Sequence, residues 1–129
     1  MTMLDVDAFK QFNDTFGHPQ GDVLLKGVAR ILRESLRATD FIGRYGGEEF
    51  LVILPETGRA EACALAERVR RTVGSTDFVL DRGQVVCRTV SIGVASYPED
   101  GALPADLVRT ADEALYRAKR SGKNRVLTS

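Results

Sequence analysis

Glu48 and Glu49 stand side by side, directly after Gly46 and Gly47 and directly before the apolar run Phe50 to Leu54. Adjacent carboxylates beside backbone that carries no side chains leave room for a polyphosphate and the hard cation that neutralises it. The apolar run is too short for a membrane helix and suits a buried strand. Phe41-Ile42-Gly43-Arg44-Tyr45 ahead of it also reads as a strand. The two glycines between them predict a β-hairpin, because glycine reaches φ > 0 without strain.

Another acid closes the strand-like stretch Met1 to Asp7, in which Leu4 and Val6 share one face and Met3, Asp5 and Asp7 the other. Apolar groups on both faces suit a central strand covered on both sides. A carboxylate at such a strand end has two readings, a turn-starting aspartate or a metal ligand. Magnesium favours one or two carboxylates, with substrate phosphates and water completing its shell.

The intervening segments must position these groups. Ala8 to Gly21 reads as a polar connection with one helical turn around Phe9 to Phe12, and His18, the only histidine, as a loop residue. A long helix follows, with Leu24, Val28, Ile31 or Leu32, and Leu36 at helical spacing. Asp22 near its start complements the helix dipole, and Arg37-Ala38-Thr39-Asp40 closes it. Thr57 or Gly58 opens a second helix with Ala62, Ala66, Val69 and Val73 in one stripe, ended by Gly74. Phe78 to Leu80 and Val85 to Ala95 read as a hairpin with a long second arm. A last helix runs from Pro104, with Leu107, Ala111, Leu115 and Ala118 inward. Gly122 ends it, Lys119 and Lys123 complement its dipole, and Asn124 to Leu127 form a final strand. The pattern predicts an α/β (α+β) domain, a mixed central sheet of about five strands flanked by helices.

The chain has 129 residues, which suits one domain with a real core. Lys and Arg number 18 and so do Asp and Glu, a balance that argues against a grip on long nucleic acid. Cys63 and Cys87 fall in segments that read as helix and strand interior, and two cysteines make no disulfide framework. Walker, Rossmann and cysteine–histidine metal patterns are missing. With no signal peptide or long apolar run, the expected location is the cytoplasm, without membrane contact by this domain itself.

Gly46-Gly47-Glu48-Glu49-Phe50 resembles the GGDEF/GGEEF signature of bacterial diguanylate cyclases. Four further blocks resemble the same family in order and spacing: Leu4 to His18, Gly21-Asp22, Val90 to Ala95, and Ala111 through Asn124. The resemblance implies a palm-like sheet that condenses two GTP into cyclic di-GMP with release of pyrophosphate. It implies that Asp5, the Val6 carbonyl and Glu48 hold Mg2+ (or Mn2+), with Glu49 completing the acidic pair. Either glutamate could assist deprotonation of the attacking hydroxyl. By the same resemblance Gly46 and Gly47 admit the triphosphate and Lys10, Lys119 and Lys123 neutralise it. Asn13 and Asp22 match the guanine readers, and His18 falls within the same substrate-binding block. Arg37 and Asp40 match an RxxD product-inhibition site, to which Arg68 adds a second inhibitory arginine. Catalysis would need a homodimer, with cyclic di-GMP as product and feedback ligand.

The family's helix before the first strand is missing from this stretch, which is expected to be the C-terminal part of a longer regulatory protein. A membrane or response-regulator sensor would lie outside it. Two rival readings remain: a GGDEF module that binds GTP or cyclic di-GMP without useful turnover, and an unrelated α/β scaffold with surface acids.

Overall fold

In the computed structural model, which describes residues 1–129, strand β1 (Thr2–Val6) is the middle of a five-stranded sheet. Every residue of β1 is buried, as its two apolar faces predict. Two helices follow, α1 (Phe9–Phe16) and α2 (His18–Ser35), then the antiparallel pair β2 (Phe41–Arg44) and β3 (Glu49–Ile53). Helix α3 (Arg59–Gly74) leads to a small hairpin, β4 (Phe78–Val79) and β5 (Val85–Val86). Strand β6 (Val90–Val94), helix α4 (Pro104–Arg120) and strand β7 (Val126–Thr128) complete the chain.

The sheet order is β2-β3-β1-β6-β7, with β1 antiparallel to both neighbours and β6 parallel to β7. The α/β class with a mixed five-stranded sheet therefore stands as the sequence predicts. Leu4, Val6, Phe50, Val52, Val90 and Ile92 meet α2 and α3 on one face in the main core. The α3 stripe is the one anticipated: Ala62, Ala66, Val69 and Val73 are its buried residues. Met3 and Ala95 meet Ala111 and Leu115 of α4 on the other face. Met3 and Asp5 thus face α4, which brings the C-terminal end of α4 to the acidic end of β1.

Four local expectations change. The Ala8–Gly21 connection is two helices rather than one turn, because Gly17 at φ 90° breaks the chain while Phe9, Phe12 and Phe16 keep helical spacing. His18, read as a loop residue, is therefore the first residue of α2, while Asp22 lies near the helix start as expected. The second arm of the later hairpin breaks at Cys87–Thr89: β5 pairs with β4 in a separate sheet, and β6 joins the main sheet beside β1. Cys87 is accordingly exposed, its thiol directed to Asp77 Oδ1 at 3.2 Å. Lys123 lies past the end of α4 in a left-handed turn, φ 64°, so it does not share a helix face with Lys119.

Candidate functional site

The acidic end of β1 gathers the groups that can do chemistry. Asp5 is the Cα partner of Glu49 on β3 and of Ser91 on β6. The Val6 amide donates to the Glu48 carbonyl at 3.3 Å, which holds the signature turn against β1. That turn, Tyr45 to Glu48, is closed by Tyr45 N–H to Glu49 O at 2.9 Å and by Arg44 Nη2 to Gly47 O at 2.6 Å. Neither Gly46 nor Gly47 has a positive φ, contrary to the reason the sequence gives for a hairpin there. A four-residue loop does not need the mirror-image turn of a two-residue one. What the glycines supply is open space: a β-carbon at Gly47 would meet nothing within 4 Å.

Lys119, from the last turn of α4, reaches into this strand end. Its Nζ lies 2.9 Å from Asp5 Oδ1, 2.9 Å from Asp7 Oδ1 and 3.3 Å from the Val6 carbonyl. Asp7 accepts three more hydrogen bonds, from Ser91 Oγ at 2.7 Å, Thr89 Oγ1 at 2.7 Å and the Asn124 amide at 2.9 Å. Burial acts to raise the Asp7 carboxyl, but Ser91, Lys119 and Thr89 outweigh it and hold it below the ordinary range. Burial wins at Asp5: it pushes that carboxyl up to about 6, with Glu48 and Glu49 adding to it and Lys119 pulling against it. Glu49 is also raised, first by burial and then by the charges of Asp112 and Glu48. Lys119 keeps its charge, because its hydrogen bonds to Asp5 and Asp7 exceed the cost of burial.

Asp7 belongs to this cluster, although the family resemblance assigns it no role and the residues alone leave it between a turn aspartate and a metal ligand. Its signal was there in the two-residue spacing from Asp5, which puts both on the α4 face, and in Ser91 within an otherwise apolar strand.

No three Asp, Glu, His or Cys side chains converge into a ready-made cation cage. The donors at the strand end are nonetheless the hard oxygens of Asp5 and Val6, and a cation, the Lys119 ammonium, already rests on them. That donor set fits a magnesium-type ion whose remaining ligands come from substrate and water.

Beside the acids, Asn13 on α1 meets the start of α2. A β-carbon at Gly21 would overlap Asn13 Oδ1, so only glycine lets the two helices approach here. Asn13 Oδ1 is buried without a partner, an acceptor left open against Gly21, whose neighbour Asp22 is exposed. Gln20 is tied to Asp81 by two hydrogen bonds, which fixes the first turn of α2 to the β4–β5 hairpin. Lys10 and His18 are exposed on this side of the chain, on α1 and at the first position of α2.

Arg37, Asp40 and Arg68 form a separate cluster beyond the C-terminal end of α2. They line one cavity of about 260 Å³ together with Ser35, Thr57 and Glu61. Arg37 Nη2 donates to Asp40 Oδ1 at 2.9 Å, to Thr57 Oγ1 at 2.8 Å and to the Pro55 carbonyl at 3.0 Å. The Arg37 hydrogen bonds hold the Asp40 carboxyl below its ordinary range.

The family model for the diguanylate cyclase GGDEF domain matches residues 1–125. This chain belongs to the GGDEF family. Diguanylate cyclase A of Treponema denticola is 45% identical over 127 residues, which are 98% of this chain and 34% of that protein. The chain spans about a third of the length of such curated relatives. The GGDEF domain of YfiN (TpbB) from Pseudomonas aeruginosa superposes with a TM-score of 0.95 at 34% identity, over 99% of this chain and 80% of that one. The GGDEF domain of DgcB from Caulobacter crescentus, in complex with c-di-GMP, gives 0.89 at 35% identity, over 98% and 75%. No helix is long and apolar enough to cross a membrane.

Proposed function

We propose that this GGDEF domain is a diguanylate cyclase that condenses two GTP into cyclic di-GMP and two pyrophosphates. The observation that carries the reading is the Asp5 carboxylate and Val6 carbonyl at the centre of the sheet, held beside Glu48, Glu49 and a turn without side chains. In each half-reaction a ribose 3′-oxygen forms a bond to the α-phosphorus of the other GTP. The bond to the β-phosphate oxygen breaks, and pyrophosphate leaves with the electron pair. Asp5, the Val6 carbonyl and Glu48 would hold Mg2+ or Mn2+, which stabilises charge on the attacking and leaving oxygens.

The chain's own residues do the remaining work. Gly46 and Gly47 admit the triphosphate to the backbone, while Lys10, Lys119 and Lys123 offset its charge. Asn13 and Asp22 select guanine, whose N1–H and N2–H donors suit an amide oxygen and a carboxylate. His18 borders the same subsite. The 3′-hydroxyl proton passes to Glu48 or Glu49. One domain offers one such site, so two copies must face each other across the paired nucleotides. Arg37, Asp40 and Arg68 would bind cyclic di-GMP as feedback ligand.

The deciding experiment fuses the domain to a constitutive dimeriser and follows GTP and Mg2+ by chromatography. Cyclic di-GMP and pyrophosphate in a 1:2 ratio is the outcome this reading requires. Tight nucleotide binding with no product would leave a sensing module instead.

A further inference from the structure

The two aspartates of β1 differ in what they hold. Asp7, 4% exposed, has both oxygens fully engaged: Oδ1 by Ser91 and Lys119, Oδ2 by Thr89 and Asn124. No acceptor capacity remains for a further ligand, and three of those four partners are fixed to the backbone or to short side chains. Asp5 is paired through Oδ1 with Lys119 and lies beside the Glu49 carboxyl. An ammonium has three hydrogens, and Lys119 faces three acceptors: Asp5, Asp7 and the Val6 carbonyl. It therefore has no donor left for a phosphate. Two of its three acceptors are the oxygens assigned above to the divalent cation.

We infer that Lys119 is a built-in counter-ion, filling the cation position at Asp5 and Val6 until metal and triphosphate arrive together, and pivoting on Asp7 to reach the phosphates. This rests on the reading of Asp5 and Val6 as cation ligands. An ammonium and a divalent ion cannot share those two oxygens, because like charges a few ångströms apart repel strongly. A cation arriving alone must therefore evict Lys119 with no new anion to receive it. A cation arriving with a triphosphate brings that anion. The two ligands are then thermodynamically coupled, each strengthening the other through the position of one side chain. Asp7 is the positioning residue of the device. It keeps one lysine hydrogen in either state and, through the Asn124 amide, holds the turn after α4 against the strand end.

The test measures Mn2+ binding to the whole chain by electron paramagnetic resonance of the free ion, so no turnover is needed. Binding is compared without nucleotide and with a GTP analogue carrying a methylene bridge between the α- and β-phosphates. For the parent, Mn2+ should bind weakly alone and much more tightly with the analogue. Lys119→Met, which keeps the apolar stem and removes the charge, should tighten nucleotide-free Mn2+ binding by about tenfold or more and shrink the coupling. Lys119→Gln, neutral but still able to donate to Asp7, should do the same should the methionine variant fold poorly. A nucleotide-free affinity that is unchanged or weaker in the folded neutral variants overturns the inference. Adding Asp5→Asn separates the two levels. Loss of analogue-dependent Mn2+ binding keeps the cation-site reading, whatever Lys119 does. Survival of that binding in Asp5→Asn overturns both.

Discussion

Gly93 of β6 lies directly under Ala111 of α4, so closely that a β-carbon on Gly93 would overlap the Ala111 carbonyl oxygen and stand 3.0 Å from Leu115 Cα. Helix α4 therefore rests on bare backbone, and this contact sets how far Lys119 can reach toward Asp5. Gly93→Ala should push the helix off the sheet, because the obstructing atoms are backbone and cannot rotate away. A loss of about 1–3 kcal/mol is expected, with a lowered Tm in thermal unfolding. Gly47→Ala is the informative partner, since open space surrounds that position. Its Tm should match the parent while affinity for GTP falls.

Asp5→Asn and Glu48→Gln should each lower turnover by about a hundredfold or more, since each removes a charge that a catalytic cation needs. Circular dichroism and thermal unfolding should show a folded chain. Product formation at the parent rate by either variant would reject the assignment. Asp22→Ala should act differently, weakening the preference for guanine over adenine in competition binding.

Much of this was legible in the sequence because the signals were periodic. Alternation on β1 placed Asp5 opposite the Leu4 face, and the stripe of α3 emerged residue for residue. The hairpin around Gly46 and Gly47 was legible from its flanking apolar runs, although the backbone reason was wrong. Three features escaped because they depend on tertiary contacts. Val85 to Ala95 looks like one continuous strand, yet Val86 and Val90 serve different sheets. Lys119 reads as a helix-end lysine that complements the dipole, and only the packing of α4 on β1 turns it toward Asp5 and Asp7. Lys123 shares its spacing but not its fate, because the chain turns left-handed after Ser121.

Acid stability should depend on Asp100, far from the strand-end acids. It accepts from Arg59, from the Ser96 amide at 2.8 Å and from Ser129. Burial acts to raise its carboxyl, but Ser129, Ser96 and Arg59 together hold it below the ordinary value of 3.8. A depressed folded pKa means the unfolded chain takes up the proton first. The stabilisation is therefore present above 3.8 and lost as pH falls through the folded value. Asp100→Asn should lower Tm at neutral pH and flatten the decline of Tm at the acid end. Parallel Tm curves for variant and parent down to that acid range would reject the role.

The Arg37–Asp40 pair offers two outcomes of very different size. As a surface ion pair alone it would contribute little, for the Arg37 side chain is 55% exposed and screened by solvent. Its setting is more elaborate than that. Asp40 is 1% exposed at its side chain, and Arg37 is also fastened to Thr57 and to the Pro55 carbonyl. Arg68, across the same cavity, donates to the Ser35 carbonyl at 3.4 Å, a long contact that is easily exchanged for a ligand. A guanidinium fixed in advance loses little side-chain freedom when it meets a phosphate or the O6/N7 edge of guanine. The cluster lies past the far end of α2 from Asn13 and Asp22, so its loss should not disturb the substrate subsite. Replacing Arg37 and Asp40 together by alanine should keep initial rates within about twofold, since neither side chain orients the reacting atoms. The same double variant should lose tight binding of cyclic di-GMP in titration calorimetry and show no slowing as product accumulates. Arg68→Ala alone should weaken that binding by about tenfold, one charged hydrogen-bonding partner being lost. If the double variant binds cyclic di-GMP as tightly as the parent, the cluster is a structural ion pair and the feedback reading fails.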